Sequence, residues 1–131
     1  MNAVLKNIID TIDVEKIEAN LFRGQCHQSE HVFGGQVLAQ AITAAFRTVK
    51  KEHNLHSLHS YFLRPGDSSR PILFEVDPIR DGKSFSTRRV AAIQKGKTIF
   101  TLSLTLASFS TLKQLLRQLR KSALRHGKSP L

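Results

Sequence analysis

The run "GGQVLAQAITAAF" (34–46) constrains the fold more than any other part of the chain. Val37, Leu38, Ala41, Ile42, Ala45 and Phe46 recur at three- and four-residue spacing, which predicts a helix from about Gly35 to Val49. Ala39 and Ala44 make its other side small and uncharged, so neither face suits water. Such a helix expects burial. At 131 residues the chain fits one domain with one core, so the rest of the sequence must supply the enclosing layer.

Strand-like patterns follow. Residues 55–63 ("LHSLHSYFL") precede the turn Arg64-Pro65-Gly66-Asp67, 71–79 ("PILFEVDPI") precede Asp81-Gly82, 84–94 precede Lys95-Gly96-Lys97, and 98–109 ("TIFTLSLTLASF") close the series. Asp-Gly between β-rich runs signals a hairpin because both residues accept the positive φ of tight turns. A weak first strand is expected over 18–25, ending near Gly24, and a short amphipathic helix packed by one face over 2–13, from Val4, Leu5, Ile8, Ile9 and Ile12. One strand before the long helix and four after it predict α+β: a curved antiparallel sheet wrapped on one apolar helix.

Charge is distributed unevenly. The formal net charge is +10, and residues 82–131 hold eleven Lys or Arg and no acid at all. That imbalance points to an anionic partner: nucleic acid, a lipid surface or the phosphates of a nucleotide-bearing substrate. Within 110–131, Leu112, Leu115, Leu116, Leu119 and Leu124 accompany Lys113, Arg117, Arg120, Lys121, Arg125 and Lys128, so this ending is expected as a docking amphipathic helix or a partly disordered basic tail. No run reaches the ~18 apolar residues of a membrane span. "MNAVLKNIIDTIDVEK" lacks a basic n-region and cleavage site, so a cytoplasmic location is expected. Cys26 is alone and reads as an inert small residue.

Gly34-Gly35-Gln36 admits two chemistries. The three residues resemble the mobile tip with which release-factor-like or ribosome-rescue hydrolases reach the peptidyl-tRNA ester, but such a tip needs polar, mobile flanks, and these flanks are apolar. A helix start instead offers unpaired N–H groups and the positive end of the helix dipole to a carbonyl oxygen or anion. His53, His56 and His59 recur at spacing three, yet in a strand His56 and His59 point to opposite faces, and neither cysteine nor acid completes a metal set. His56 or His59 is then a general base or a hydrogen-bonded core histidine. Arg88 and Arg89 are mid-strand neighbours, so one points away from the face of the other; either a phosphate contact or a solvated or salt-bridged surface arginine fits. No metal and no cofactor are expected, and no specific nucleic-acid site, since aromatic residues are not interleaved with the basic ending.

"VFGGQVLAQA", "HSLHSYFLRPGD" and "RDGKSFSTRRVAAIQKGKTIF", in this order and spacing, closely resemble the acyl-CoA thioesterase II (TesB-like) family over about residues 2–109. The resemblance implies a hotdog fold, with the long helix as the sausage and the sheet as the bun, and hydrolysis of fatty acyl-CoA to free fatty acid and CoA. It implies two hotdog repeats in a full chain, of which this one matches the first. The family's water-orienting Asp, Thr or Ser, and Gln lie in the second repeat and have no matching position here; Gln36, Asp81 and Thr87 share only residue type with them. The expectation is therefore one hotdog domain over 1–109 with an appended basic stretch over 110–131, a truncated or frame-shifted N-terminal half whose isolated catalysis is in doubt. A noncatalytic acyl-CoA-binding or assembly module is the alternative. An uncovered sheet edge predicts a homodimer or higher homo-oligomer. For a competent enzyme, Gly34, Gly35 and Gln36 are the candidate substrate and oxyanion contacts and His56 the weaker catalytic candidate.

Overall fold

The apolar run forms helix α2 (Gly34–Phe46), which buries Val37, Gln40, Ala41, Ala44 and Ala45. The computed structural model describes residues 2–26, 34–50 and 52–126. In chain order α1 (Ala3–Ile12), β1 (Glu15–Glu18) and β2 (Leu21–Gly24) precede α2. After it come β3 (His53–Phe62), β4 (Ile72–Asp81), β5 (Phe85–Gln94), β6 (Lys97–Ser108) and α3 (Phe109–Arg125).

The strands form one sheet in the order β1-β2-β4-β5-β6-β3, with each pair of neighbours antiparallel. Alternation turns Val90, Ala92, Leu102, Leu104, Phe74 and Val76 to the inner face, where they are buried with Ala41, Ala44 and Ala45 of α2. This is the expected α+β hotdog arrangement. Ala44 is fully enclosed, because the small side of α2 admits close neighbours that a longer residue would displace.

Tight turns explain several departures from expectation. The weak first strand is a hairpin, β1 and β2, because Asn20 adopts φ 64° and turns the chain. Positive φ in the later hairpins belongs to Lys95 (51°) and Gly96 (71°), not to Asp81-Gly82. At Asp81-Gly82 the chain closes through residues 82–84, where the Gly82 N–H donates to the Phe85 carbonyl at 2.8 Å. A Cβ on Gly82 would lie 2.8 Å from that same oxygen, so glycine is needed for proximity and not for handedness.

The first helix forms as expected but does not bury its apolar stripe. Val4, Leu5, Ile8 and Ile9 are exposed, while α1 is tied down at its C-terminal end. There Arg47 pairs with the Asp13 carboxylate and the Val14 carbonyl, and Gln40 Nε2 donates to the Thr11 carbonyl at 2.7 Å. Of the two expectations for the basic ending, residues 109–125 follow the helical one: Ser108 caps α3, its hydroxyl accepting from the Thr111 N–H. No helix among the described residues is long and apolar enough to cross a membrane.

Candidate active site cleft

A cleft of about 330 Å³ opens where the start of α2 meets the end of β3, the 63–66 loop and β6. Gly34, Val37, Phe62, Leu63, Arg64, Pro65, Gly66, Ile99 and Phe100 line it. Five of these nine are large apolar side chains, and Arg64 brings the one charge. Phe62 and Phe100 stack at a tilt with ring centroids 4.9 Å apart.

The loop beside the cleft is held from both ends. The Leu63 and Arg64 N–H groups donate to the Ile99 carbonyl at 2.9 and 3.2 Å, and Arg64 Nη1 donates to the Thr98 carbonyl at 2.5 Å. Gln94, nearly buried, accepts from the Asp67 N–H at 2.8 Å and donates back to the Asp67 carbonyl at 2.8 Å. Asp67 is further fixed by the Ser69 hydroxyl and N–H, with Lys95 nearby; these donors hold its carboxyl down at about 2.

The sequence candidates scatter. Gly34 lines the cleft, and a Cβ there would meet Phe62 Cε1 at 3.1 Å, so its bareness leaves room for the ring. Gly35 and Gln36 occupy the first turn of α2 but do not line the cleft. The Gln36 amide donates to the Gln25 carbonyl at 3.1 Å and bonds Cys26, whose thiol is pushed up chiefly by its own burial, with the Gln36 contact opposing. All of Gly34-Gly35-Gln36 is helical, not a free loop.

His56 lies elsewhere. It is about six strand residues, roughly 20 Å, from Phe62. A bulge between Leu55 and Ser57 leaves it as the extra residue of β3. Its ring packs edge-on against Phe85 with centroids 5.5 Å apart, and His59, opposite Ser103, bonds the Tyr61 hydroxyl at 2.8 Å. Phe85 and Ser103 both belong to the outer alternation of their strands, so His56 and His59 share the outer face instead of opposing each other. The inserted residue shifts the period by one. His53 is the buried histidine of this strand.

Arg88 forms the salt bridge that one expectation allowed, with Asp81, but from a buried position and not from the surface. Only 1% exposed, it points inward and donates to Thr48 Oγ1 at 2.8 Å, to the Thr48, Arg80 and Thr87 carbonyls, and to Asp81 Oδ1 at 2.7 Å. It ties the end of α2 to the β4–β5 hairpin and, as a cation near a helix C-terminus, complements the dipole. Asp81 answers with a carboxyl held below its ordinary range by that arginine. Arg89 is the exposed member of the pair.

Sequence reasoning missed Phe62, Leu63, Arg64, Ile99 and Phe100 as cleft residues; the only available signal was the Arg64-Pro65-Gly66-Asp67 turn. It also missed Gln40, fully buried, whose Nε2 bridges the Thr11 and Gln25 carbonyls while its Oε1 packs on Gly24.

A profile of the acyl-CoA thioesterase N-terminal domain matches residues 22–107, which span β2 to β6 and hold the whole cleft. The chain belongs to this family. Among its relatives, acyl-CoA thioesterase 2 of Haemophilus influenzae is 45% identical over 101 residues, 76% of this chain and 35% of that protein. Mouse acyl-coenzyme A thioesterase 8 is 38% identical over 122 residues, 91% of this chain and 35% of that protein. The acyl-CoA thioesterase II TesB2 of Mycobacterium marinum superposes with a TM-score of 0.71 at 42% identity, over 78% of this chain and 38% of that one. A hot dog fold protein of Alicyclobacillus acidocaldarius, 20% identical with a TM-score of 0.68 over 77% of this chain and 39% of that one, shares the fold. This member of the thioesterase family spans about a third of the length of the curated relatives it matches.

Proposed function

We propose that this thioesterase-family chain is a hotdog half that receives the acyl-CoA thioester at the cleft, in an assembly that hydrolyses fatty acyl-CoA to free fatty acid and CoA. The observation that carries the reading is the cleft itself, which sets an apolar wall of Val37, Phe62, Leu63, Ile99 and Phe100 beside the start of a helix and one guanidinium. Apolar surface suits an acyl chain, and the bare Gly34 backbone lets a carbonyl approach the positive end of α2. Gly34 is the proposed substrate contact, with Gly35 and Gln36 behind it in the same helical turn and outside the cleft lining; His56, on the outer face, has no part in it.

No acid, histidine or hydroxyl side chain lines the cleft among the described residues. Nothing there orients a water, so the chain alone is proposed to bind acyl-CoA without turning it over. The groups it lacks are those that the family resemblance places in a second repeat. The site for such a unit is the β3 edge, ten residues long and carrying exposed Leu55, Leu58, Tyr61 and Phe62. A second hotdog, or a second copy of this chain, would extend the sheet there. Residues 1–109 are proposed as that one hotdog unit, with 110–131 appended. A cytoplasmic setting is proposed for it.

The test is calorimetric titration of palmitoyl-CoA into the purified chain, beside a thiol-release assay and light-scattering mass measurement. Saturable binding with release no faster than the buffer rate is expected. Failure to bind palmitoyl-CoA refutes the cleft assignment, and rapid CoA release refutes the need for a second half.

A further inference from the structure

We propose that the exposed face of α3 is a docking surface for an anionic lipid bilayer. The helix runs Phe109–Arg125, about 25 Å at 1.5 Å per residue, and continues directly from β6. It touches β6 and β3, and Leu112, Leu115, Ser122 and Ala123 are half-buried. Along the same apolar stripe Phe109, Leu116, Leu119 and Leu124 remain uncovered, each 59% exposed or more. A helix whose only task was to pack on the sheet would have polar residues at these positions.

The flank of this stripe is cationic. Exposed Lys113, Arg117 and Arg120 adjoin it, Lys121 and Arg125 follow further round the helix, and no acid occurs in α3 or anywhere after Asp81. Helical spacing sets Leu116 between Lys113 and Arg120, and Leu124 one turn beyond Arg120. The Lys113 ammonium lies 4.8 Å from the Phe109 ring centroid, so charge and apolar surface are presented together. This pairing selects the partner. Nucleic acid would satisfy the cations but not the leucines, and an apolar protein groove would satisfy the leucines but strand the cations. An anionic bilayer satisfies both: cations meet phosphate-level charge while leucines and Phe109 enter the acyl boundary. The proposal rests on α3 alone and stands apart from the reading of the cleft.

The full chain is to be sedimented with vesicles of phosphatidylcholine, with and without phosphatidylserine, and its affinity for a DNA oligonucleotide measured alongside. Two variants accompany it, Leu116→Asn/Leu119→Asn, which leaves every charge in place, and Lys113→Gln/Arg117→Gln/Arg120→Gln, which leaves every leucine. All five positions are exposed, so folding is unaffected, which circular dichroism verifies. Binding is expected on phosphatidylserine vesicles and weakening with salt. It should fall about tenfold or more for the leucine variant and on the order of a hundredfold for the charge variant, with DNA affinity unchanged by the leucine substitutions. Absence of binding to phosphatidylserine vesicles overturns the proposal. So does vesicle binding that the leucine variant retains in full, which would mark a general polyanion surface, or loss of a dimer by that variant at unchanged vesicle affinity, which would assign the face to a second copy.

Discussion

Replacing Arg88 by methionine tests how the far end of α2 is held. The side chain is 1% exposed and serves Thr48, Arg80, Thr87 and Asp81 at once. Swapping a buried ion pair for apolar residues is often neutral, because the desolvation cost disappears with the charges. That compensation fails here. Asp81 is 64% exposed, so the ion pair itself contributes at most about 1 kcal/mol, and its carboxylate returns to water. The Thr48 and Thr87 carbonyls, only partly exposed, instead lose a charged donor, and hydrogen bonds to charged groups contribute about 1.5–3 kcal/mol. Together these give a loss of about 3 kcal/mol for Arg88→Met, or roughly 10 °C in Tm for a chain of this size. Urea and thermal unfolding followed by circular dichroism measure it. Arg89→Met, next in sequence but facing water, is the control and should stay within about 0.5 kcal/mol. Equal stability of the two variants would refute the assignment of Arg88 as the clasp between α2 and the β4–β5 hairpin.

Gly24→Val should destabilise by about 1–3 kcal/mol in urea unfolding, since a Cβ there would lie 2.7 Å from Oε1 of the enclosed Gln40; an unchanged midpoint would mean that Gln40 is free to move. Gly34→Val meets only the exposed Phe62 ring, so stability should change by less than about 1 kcal/mol while palmitoyl-CoA affinity falls roughly tenfold as the cleft fills; calorimetry with full affinity retained would remove Gly34 from the site. Both Asp67 and Asp81 have carboxyls below their ordinary value of 3.8, Asp67 at about 2 through the Ser69 donors and Asp81 through Arg88. The folded state therefore favours their charged forms: their stabilisation is complete above the ordinary value and is lost as pH falls through the lowered ones. Tm should drop between about pH 4 and 2, and Asp67→Asn should flatten the lower part of that fall; an unaltered profile would contradict the role of the Ser69 donors.

Local rules were enough for much of the fold. The helix at 34–46 and the four later strands were legible because each carries its own period of apolar residues, and period follows from backbone geometry alone; the basic ending admits both a helix and a disordered tail. The first hairpin was not, because its turn depends on one residue, Asn20, entering the left-handed region. The relative facing of His56 and His59 was not either, since one inserted residue in β3 moves every later side chain to the other face and leaves no mark on composition. The candidate site was less legible still. Of Gly34, Gly35 and Gln36, only Gly34 reaches the cleft, although all three belong to one helical turn.

By itself, then, the sequence determined an apolar helix that had to be wrapped, an antiparallel sheet to wrap it, a family, and an acid-free cationic ending. Those properties follow from short-range spacing and from sums of charge. Only the tertiary structure decided that Arg88 is enclosed while Arg89 is not, that Gln36 serves the Gln25 carbonyl, and that the cleft is walled by Phe62, Leu63, Ile99 and Phe100. These depend on which residues meet across distances of tens of positions, and a side chain's chemistry is set by the neighbours it meets there, not by those it follows in the chain.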